Sequence, residues 1–250
     1  MLGTLAVPAA HAQAPAATTV DLVATHSSLS AGQPGGQALN LRLTSLRGGD
    51  NVWRAELLRE RRFGVSGGVI GAGFSQGLGD TWFMGANLTL GEGGPNWPRQ
   101  RLDLSLSSKL GARREFITQA SAYRALYDNQ RSDTGIGLAL VSYATAPLVL
   151  QAGVVFNVSD PGAVHSRMFS ASGSWGQEGQ QFVSLRLAAG SESYQTLGVG
   201  QQLVDFQSRS LALAWRQWLG PRWGWSAQAE HYHNPSYERL SVGLGLFSQW

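Results

Sequence analysis

Two short pairings of side chains are the first candidates for chemistry. His26 and Ser28 stand two apart, which on a strand puts an imidazole and a hydroxyl on one face. Such a pair can begin a nucleophilic site, with the His taking the Ser proton and an acid orienting the His. No acid for this role can be named from the sequence. His231 and His233 share a face by the same spacing. Two imidazoles can hold part of a metal's shell, but a site needs three or four ligands, and no further one is identifiable. Asp128, Asp133 and Asp160 are expected in loops, without the spacing of a calcium loop. The run Val69-Ile-Gly-Ala-Gly-Phe-Ser-Gln-Gly77 has the wrong spacing for a dinucleotide loop, and no amphipathic helix follows it. It reads better as a glycine-rich strand that lets a sheet bend. No catalytic residue, metal or cofactor is therefore implied, and the reading is of a non-enzyme.

The elements that would position these residues have a period of two. Leu39, Leu41 and Leu43 alternate with Asn40, Arg42 and Thr44, and Leu102, Leu104 and Leu106 with Arg101, Asp103 and Ser105. Val183-Leu187, Leu211-Trp215 and Trp223-Ala229 repeat the pattern. Each stretch has about ten residues, the length of a tilted membrane-barrel strand. About fourteen are expected, with twelve as the alternative, and an even number returns both ends to the periplasmic side. They lie near 19–30, 37–46, 51–62, 66–76, 80–90, 98–108, 114–126, 133–144, 147–158, 165–175, 181–191, 204–217, 222–232 and 237–250. Extracellular loops are expected at 91–98, 157–164 and 190–202, the last being the longest. Tight periplasmic turns are expected at 47–50, 77–79 and 219–221.

Composition agrees. Only 14% of residues are charged, yet mean hydropathy is −0.12. A wall with lipid outside and water inside needs this mixture of few charges and many small polar residues. Gly is 32 of 250, and the 9 Trp suit interfacial belts. There is no Cys, which excludes a disulfide scaffold and Cys-ligated zinc. The net charge of +3 comes almost entirely from Arg, and no basic run is dense enough for nucleic acid.

At the start, Leu2–Ala10 is apolar and Ala10-His11-Ala12 offers a signal-peptidase site. Residues 1–12 are expected to be a signal peptide whose basic start lies further upstream. Residues 13–18 would form a short periplasmic segment and 19–250 the barrel. No stretch reaches the roughly 18 apolar residues of a membrane helix. At the other end, Val242, Leu244, Leu246 and Trp250 share one face. A closing strand with an interfacial aromatic is the expected assembly signal for the barrel-inserting machinery, after delivery by periplasmic chaperones.

The run Ala214-Trp-Arg-Gln-Trp-Leu-Gly-Pro-Arg-Trp-Gly224, then Glu230-His-Tyr-His-Asn-Pro-Ser-Tyr-Glu-Arg239 and Gly243-Leu-Gly-Leu-Phe247, resembles the YaiO family of outer-membrane β-barrels. Arg61-Arg62-Phe63 and the stretch Gly190-Ser191 with Glu192 and Tyr194 also fit it. The resemblance implies an outer-membrane barrel and lends no specific activity.

If the leucines face lipid, Arg42, Arg54, Glu56, Arg101, Asp103, Arg186, Arg216, Glu230 and Arg239 face the lumen. An Arg at mid-membrane on the lipid face costs roughly 2–4 kcal/mol, so the inward placement is favoured. Two readings of this set stand. An Arg-rich lumen suits a channel or export pore for a solute or envelope polysaccharide. Internal salt bridges suit a plugged structural or adhesive barrel acting through loop 190–202. A lipid hydrolase at His26 and Ser28 is a third reading. The lipid bilayer and lipopolysaccharide are the expected surroundings.

Overall fold

The computed structural model describes residues 17–48, 51–128, 130–197 and 201–250. The expected signal peptide lies outside these residues. The described chain is one antiparallel sheet: β1 (Ala17–Leu29), β2 (Gly36–Leu46), β3 (Val52–Arg62), β4 (Val65–Leu78), β5 (Trp82–Glu92), β6 (Gln100–Leu110), β7 (Phe116–Leu126), β8 (Ser132–Thr145), β9 (Leu148–Asp160), β10 (Val164–Gln177), β11 (Gln181–Thr196), β12 (Gln202–Gly220), β13 (Trp223–His233) and β14 (Glu238–Gln249). Each strand pairs with its sequence neighbour, and β1 pairs with β14 to close a fourteen-stranded barrel. Backbone bonds in both directions between Thr18 and Trp250 finish the seam. Closure removes every sheet edge, which a spanning sheet in lipid requires.

The leucine alternation sets the faces. Leu22, Leu41, Leu57, Leu104, Leu138, Leu187, Leu213 and Leu244 are all exposed on the outer surface. A slip of one residue would turn such a strand's apolar set inward, so the pattern fixes the register.

Two expected loops are shorter than the sequence suggested. Residues 190–196 continue β11, and β12 begins at Gln202, so only 197–201 connect them. Residues 157–160 likewise continue β9. Polar residues extend these hairpins past the apolar band, where neither face needs leucine and the period-two signal fades. β2 ends at Leu46 and β3 begins at Val52, either side of the turn expected at 47–50, and 93–99 connect β5 to β6 close to the loop expected at 91–98.

Candidate channel lumen

The inward positions of the strands are mostly small. Gly71 and Gly73 of β4, Gly85 of β5, Ser105 of β6, Gly137 of β8 and Ser172 of β10 face the interior, opposite in parity to the exposed leucines. Eight strands make a barrel that side chains fill; fourteen enclose more space. With so little side chain on this part of the wall, the inward Arg42 and Glu56 side chains remain 46% and 41% accessible.

The nine predicted lumen residues are all inward-facing by strand parity, but they do not form a ring of free charge. Arg42 pairs with Glu56 at 3.5 Å, and Asn40 donates to the same carboxylate at 2.5 Å. Arg101 grips Asp103 at 2.7 Å and lies 4.0 Å over the Tyr123 ring. Arg239 pairs with Glu230. Arg216 pairs with Asp21 and lies 3.5 Å over the Phe247 ring. Asp21 was absent from the predicted set, although its alternation with Val20 and Leu22 marks it as inward. Arg54 is on the same face of β3 as Glu56. Arg186 has no carboxylate within ion-pair distance among the described residues. Ion pairing thus neutralises much of the positive charge the sequence suggested.

A polar ladder lines the wall from β7 to β11. Tyr123 lies against Gly135, where a Cβ would sit 2.4 Å from its ring, and donates its hydroxyl to Asn157 at 2.8 Å. Asn157 donates to Ser159 at 2.9 Å and Ser193 at 3.2 Å, and Ser159 donates to Asp133 at 2.6 Å.

The mouth opposite Trp250 is narrowed by an apolar cluster of Phe63, Leu197, Tyr232 and Tyr237, with Leu29 and Leu203 against it. Phe63 and Gly64 form the two-residue β3–β4 turn, both with positive φ, at 50° and 78°. Such turns favour Asn-Gly. A bulky Phe in the left-handed region is disfavoured, and packing holds it there: its ring is only 4% exposed and meets Tyr237 edge-on at 5.5 Å. Tyr232 donates to Glu192 at 2.9 Å, and Gln195 donates to Tyr237 at 2.5 Å. Loop 93–99 adds Trp97, 2% exposed, which lies on Gly67 and donates to Glu60 at 3.3 Å. A Cβ on Gly67 would sit 2.4 Å from that indole. Sequence reasoning missed this whole cluster, because an aromatic in a turn carries no period that tells inward from outward.

The candidate pairs at His26 and Ser28 and at His231 and His233 are not completed into a triad or a metal shell among the described residues. His26 and Ser28 are on the outer face, Ser28 donates to the Leu240 carbonyl at 3.5 Å, and no carboxylate is bonded to His26. His231 and His233 both face Glu238, at 3.7 and 3.1 Å. Asp133 is in β8, not a loop, and Asp128 pairs with Arg99 at 3.2 Å. Among the described residues, no group of three or more His, Cys, Asp or Glu converges as a metal site would.

Comparison with known proteins decides the family: residues 17–195 match the YaiO membrane beta barrel domain. The chain belongs to the YaiO family. The match lies ahead of the 214–247 stretch that carried most of the resemblance in sequence. No curated protein matches the YaiO chain. Among solved structures it is similar to a CymD monoaromatic hydrocarbon channel, with 6% identity, TM-score 0.60, and coverage of 95% of this chain and 88% of that one. A COG4313 outer membrane channel from Pseudomonas putida F1 gives 10% identity, TM-score 0.59, and coverage of 97% and 98%. An anion-selective porin from Comamonas acidovorans gives 10%, 0.51, and coverage of 96% and 100%. At these identities the likeness is one of fold. Family and fold together place the YaiO chain in the bacterial outer membrane as a barrel of porin-like architecture. The end bearing Ala17 and Trp250 is then periplasmic, and the narrowed mouth extracellular.

Proposed function

We propose that this barrel is a passive channel for small hydrophilic solutes, with a weak preference for anions and an extracellular mouth held narrow by the Phe63 cluster. The carrying observation is the interior wall of Gly and Ser, which leaves Arg42 and Glu56 accessible to water inside the sheet. A plugged barrel of this size would fill that wall with large side chains. Arg186, without a carboxylate partner among the described residues, supplies the anion preference. The paired charges keep it weak, since each pair presents little net field. Passage of solute through such a wall needs no catalytic group. An envelope polysaccharide would need a mouth that stands wide, which the Phe63 cluster opposes. That same cluster favours a second reading, a closed structural barrel.

Single-channel recording on the refolded mature chain separates the two. Steady conductance, with a reversal potential on the anion side in a salt gradient, supports the channel. Silence from a folded barrel, including the Phe63→Asn variant, would sink it.

A further inference from the structure

A second candidate site lies at the extracellular rim of the sheet, where the outer face meets the mouth. The apolar band ends at Leu102 and Leu126, and on its extracellular edge the ends of β6, β7 and β8, with Tyr127, Gln130 and Arg131, frame a cavity of about 430 Å³. Arg99, Arg124 and Arg131 line it, with Gln100, Tyr127 and Leu126. Gln100 and Arg124 lie on the lipid-facing side: Arg124 is directly across from Leu102, and Gln100 from Leu126.

The frame is rigid. Arg99 donates its backbone N–H to Leu126 at 2.8 Å, and Tyr127 donates its own to Arg131 at 2.9 Å. The Arg131 guanidinium stacks 3.6 Å over the Tyr127 ring. Burial, then the Asp133 charge, pushes the Tyr127 phenol above its ordinary range, so it stays neutral beside Asp133. Two acids stand beside the three arginines: Asp128 pairs with Arg99 at 3.2 Å, and Arg131, only 7% exposed, is held on the interior side with Asp133 at 3.9 Å, so Arg124 is the guanidinium that faces outward. Arg124 has no carboxylate partner among the described residues.

We propose that this cavity binds the phosphorylated headgroup of an outer-leaflet glycolipid of the lipid A type. Guanidinium forks match phosphate oxygens in pairs. The site stands where a headgroup would, at the step from lipid-facing leucine to water, so the same molecule lays its acyl chains on Leu102 and Leu126. A free phosphate would gain nothing from that apolar shelf. Other cations share the edge: Arg59, Arg61, Arg167 and Arg209 are exposed on the outer face at their strands' extracellular ends.

The test is native mass spectrometry of the folded full barrel in detergent, titrated with bisphosphorylated lipid A. Dephosphorylated lipid A and inorganic phosphate form the other arms. Arg124→Gln should weaken binding at least about tenfold, the loss expected for a charge-assisted bond. Removing the lipid's phosphates should do the same, and Arg113→Gln at a periplasmic turn should change nothing. Arg99→Gln carries the test if Arg124→Gln fails to fold, as read by heat-dependent gel mobility. Equal binding by the variant, equal binding of the dephosphorylated lipid, or displacement by equimolar inorganic phosphate would each overturn the proposal.

Discussion

The two ends of this barrel solve different problems with different residues. On the outer surface the periplasmic edge is tryptophan: Trp53, Trp82, Trp175, Trp223 and Trp250 are all exposed there. The extracellular edge is arginine. Inside, the order changes. The periplasmic end packs Phe182, Trp218 and Phe247 edge to face, and a second cluster of Phe83, Ile117 and Val141 stands across from them. The extracellular end holds the Phe63 cluster over the Arg239–Glu230 pair. Indole suits an interface where one edge is apolar and the other wet. Guanidinium suits an interface crowded with phosphate. The contrast is confined to the outer face of the strands, since Arg47, Arg113, Arg114 and Arg222 are exposed at the periplasmic turns as well. The inner contrast sets a periplasmic end packed by Phe182, Trp218 and Phe247 against an extracellular end packed around Phe63.

The largest effect should come from breaking the periplasmic packing. Phe247 is buried against Trp218 at 4.9 Å and covered by Arg216. Phe247→Ala should lower stability by about 3–5 kcal/mol, read as a lower urea midpoint for unfolding from lipid vesicles, while channel selectivity is retained. A shift under about 1 kcal/mol would remove the special role of this end. Next, arginine is harmless only at the edge. Leu244 is 65% exposed in the middle of the lipid band. Leu244→Arg should cost roughly 2–4 kcal/mol in the same measurement, whereas Arg209→Leu at the extracellular edge should change it little.

Two smaller effects sharpen the view of the entry side. Phe63→Asn gives the β3–β4 turn a residue suited to positive φ and removes a ring from the mouth. Its turn gain, about 1 kcal/mol, offsets part of the lost packing, so folding should change modestly while conductance rises. Unchanged conductance would mean that the ring does not limit passage. Arg186→Gln should change neither stability nor conductance much and should move the reversal potential toward zero.

Much of the fold was legible in sequence because leucine at every second position states both strand and face. The alternation at 39–43 and 102–106 set β2 and β6 within about two residues at each end. It failed at 190–196, where Gly190-Ser-Glu-Ser193 is polar on both faces and resembles a loop. Inward placement of the lumen arginines was legible for the same reason. Their partners were only partly so. Glu56 and Asp103 were seen in the alternation around them, but Asp21 meets Arg216 only once the sheet is closed. Trp97 and Phe63 sit in turns, where no period says which way a ring points.

The Arg216–Asp21 pair joins groups 195 residues apart in sequence, across the β14–β1 seam. It is therefore a signature of completed closure. While the last strand is unpaired, Arg216 faces an unfinished interior and Asp21 stands at an open edge, each charge without its partner. Their union is among the last steps in circularising the sheet, and it rewards only the chain that has come full circle.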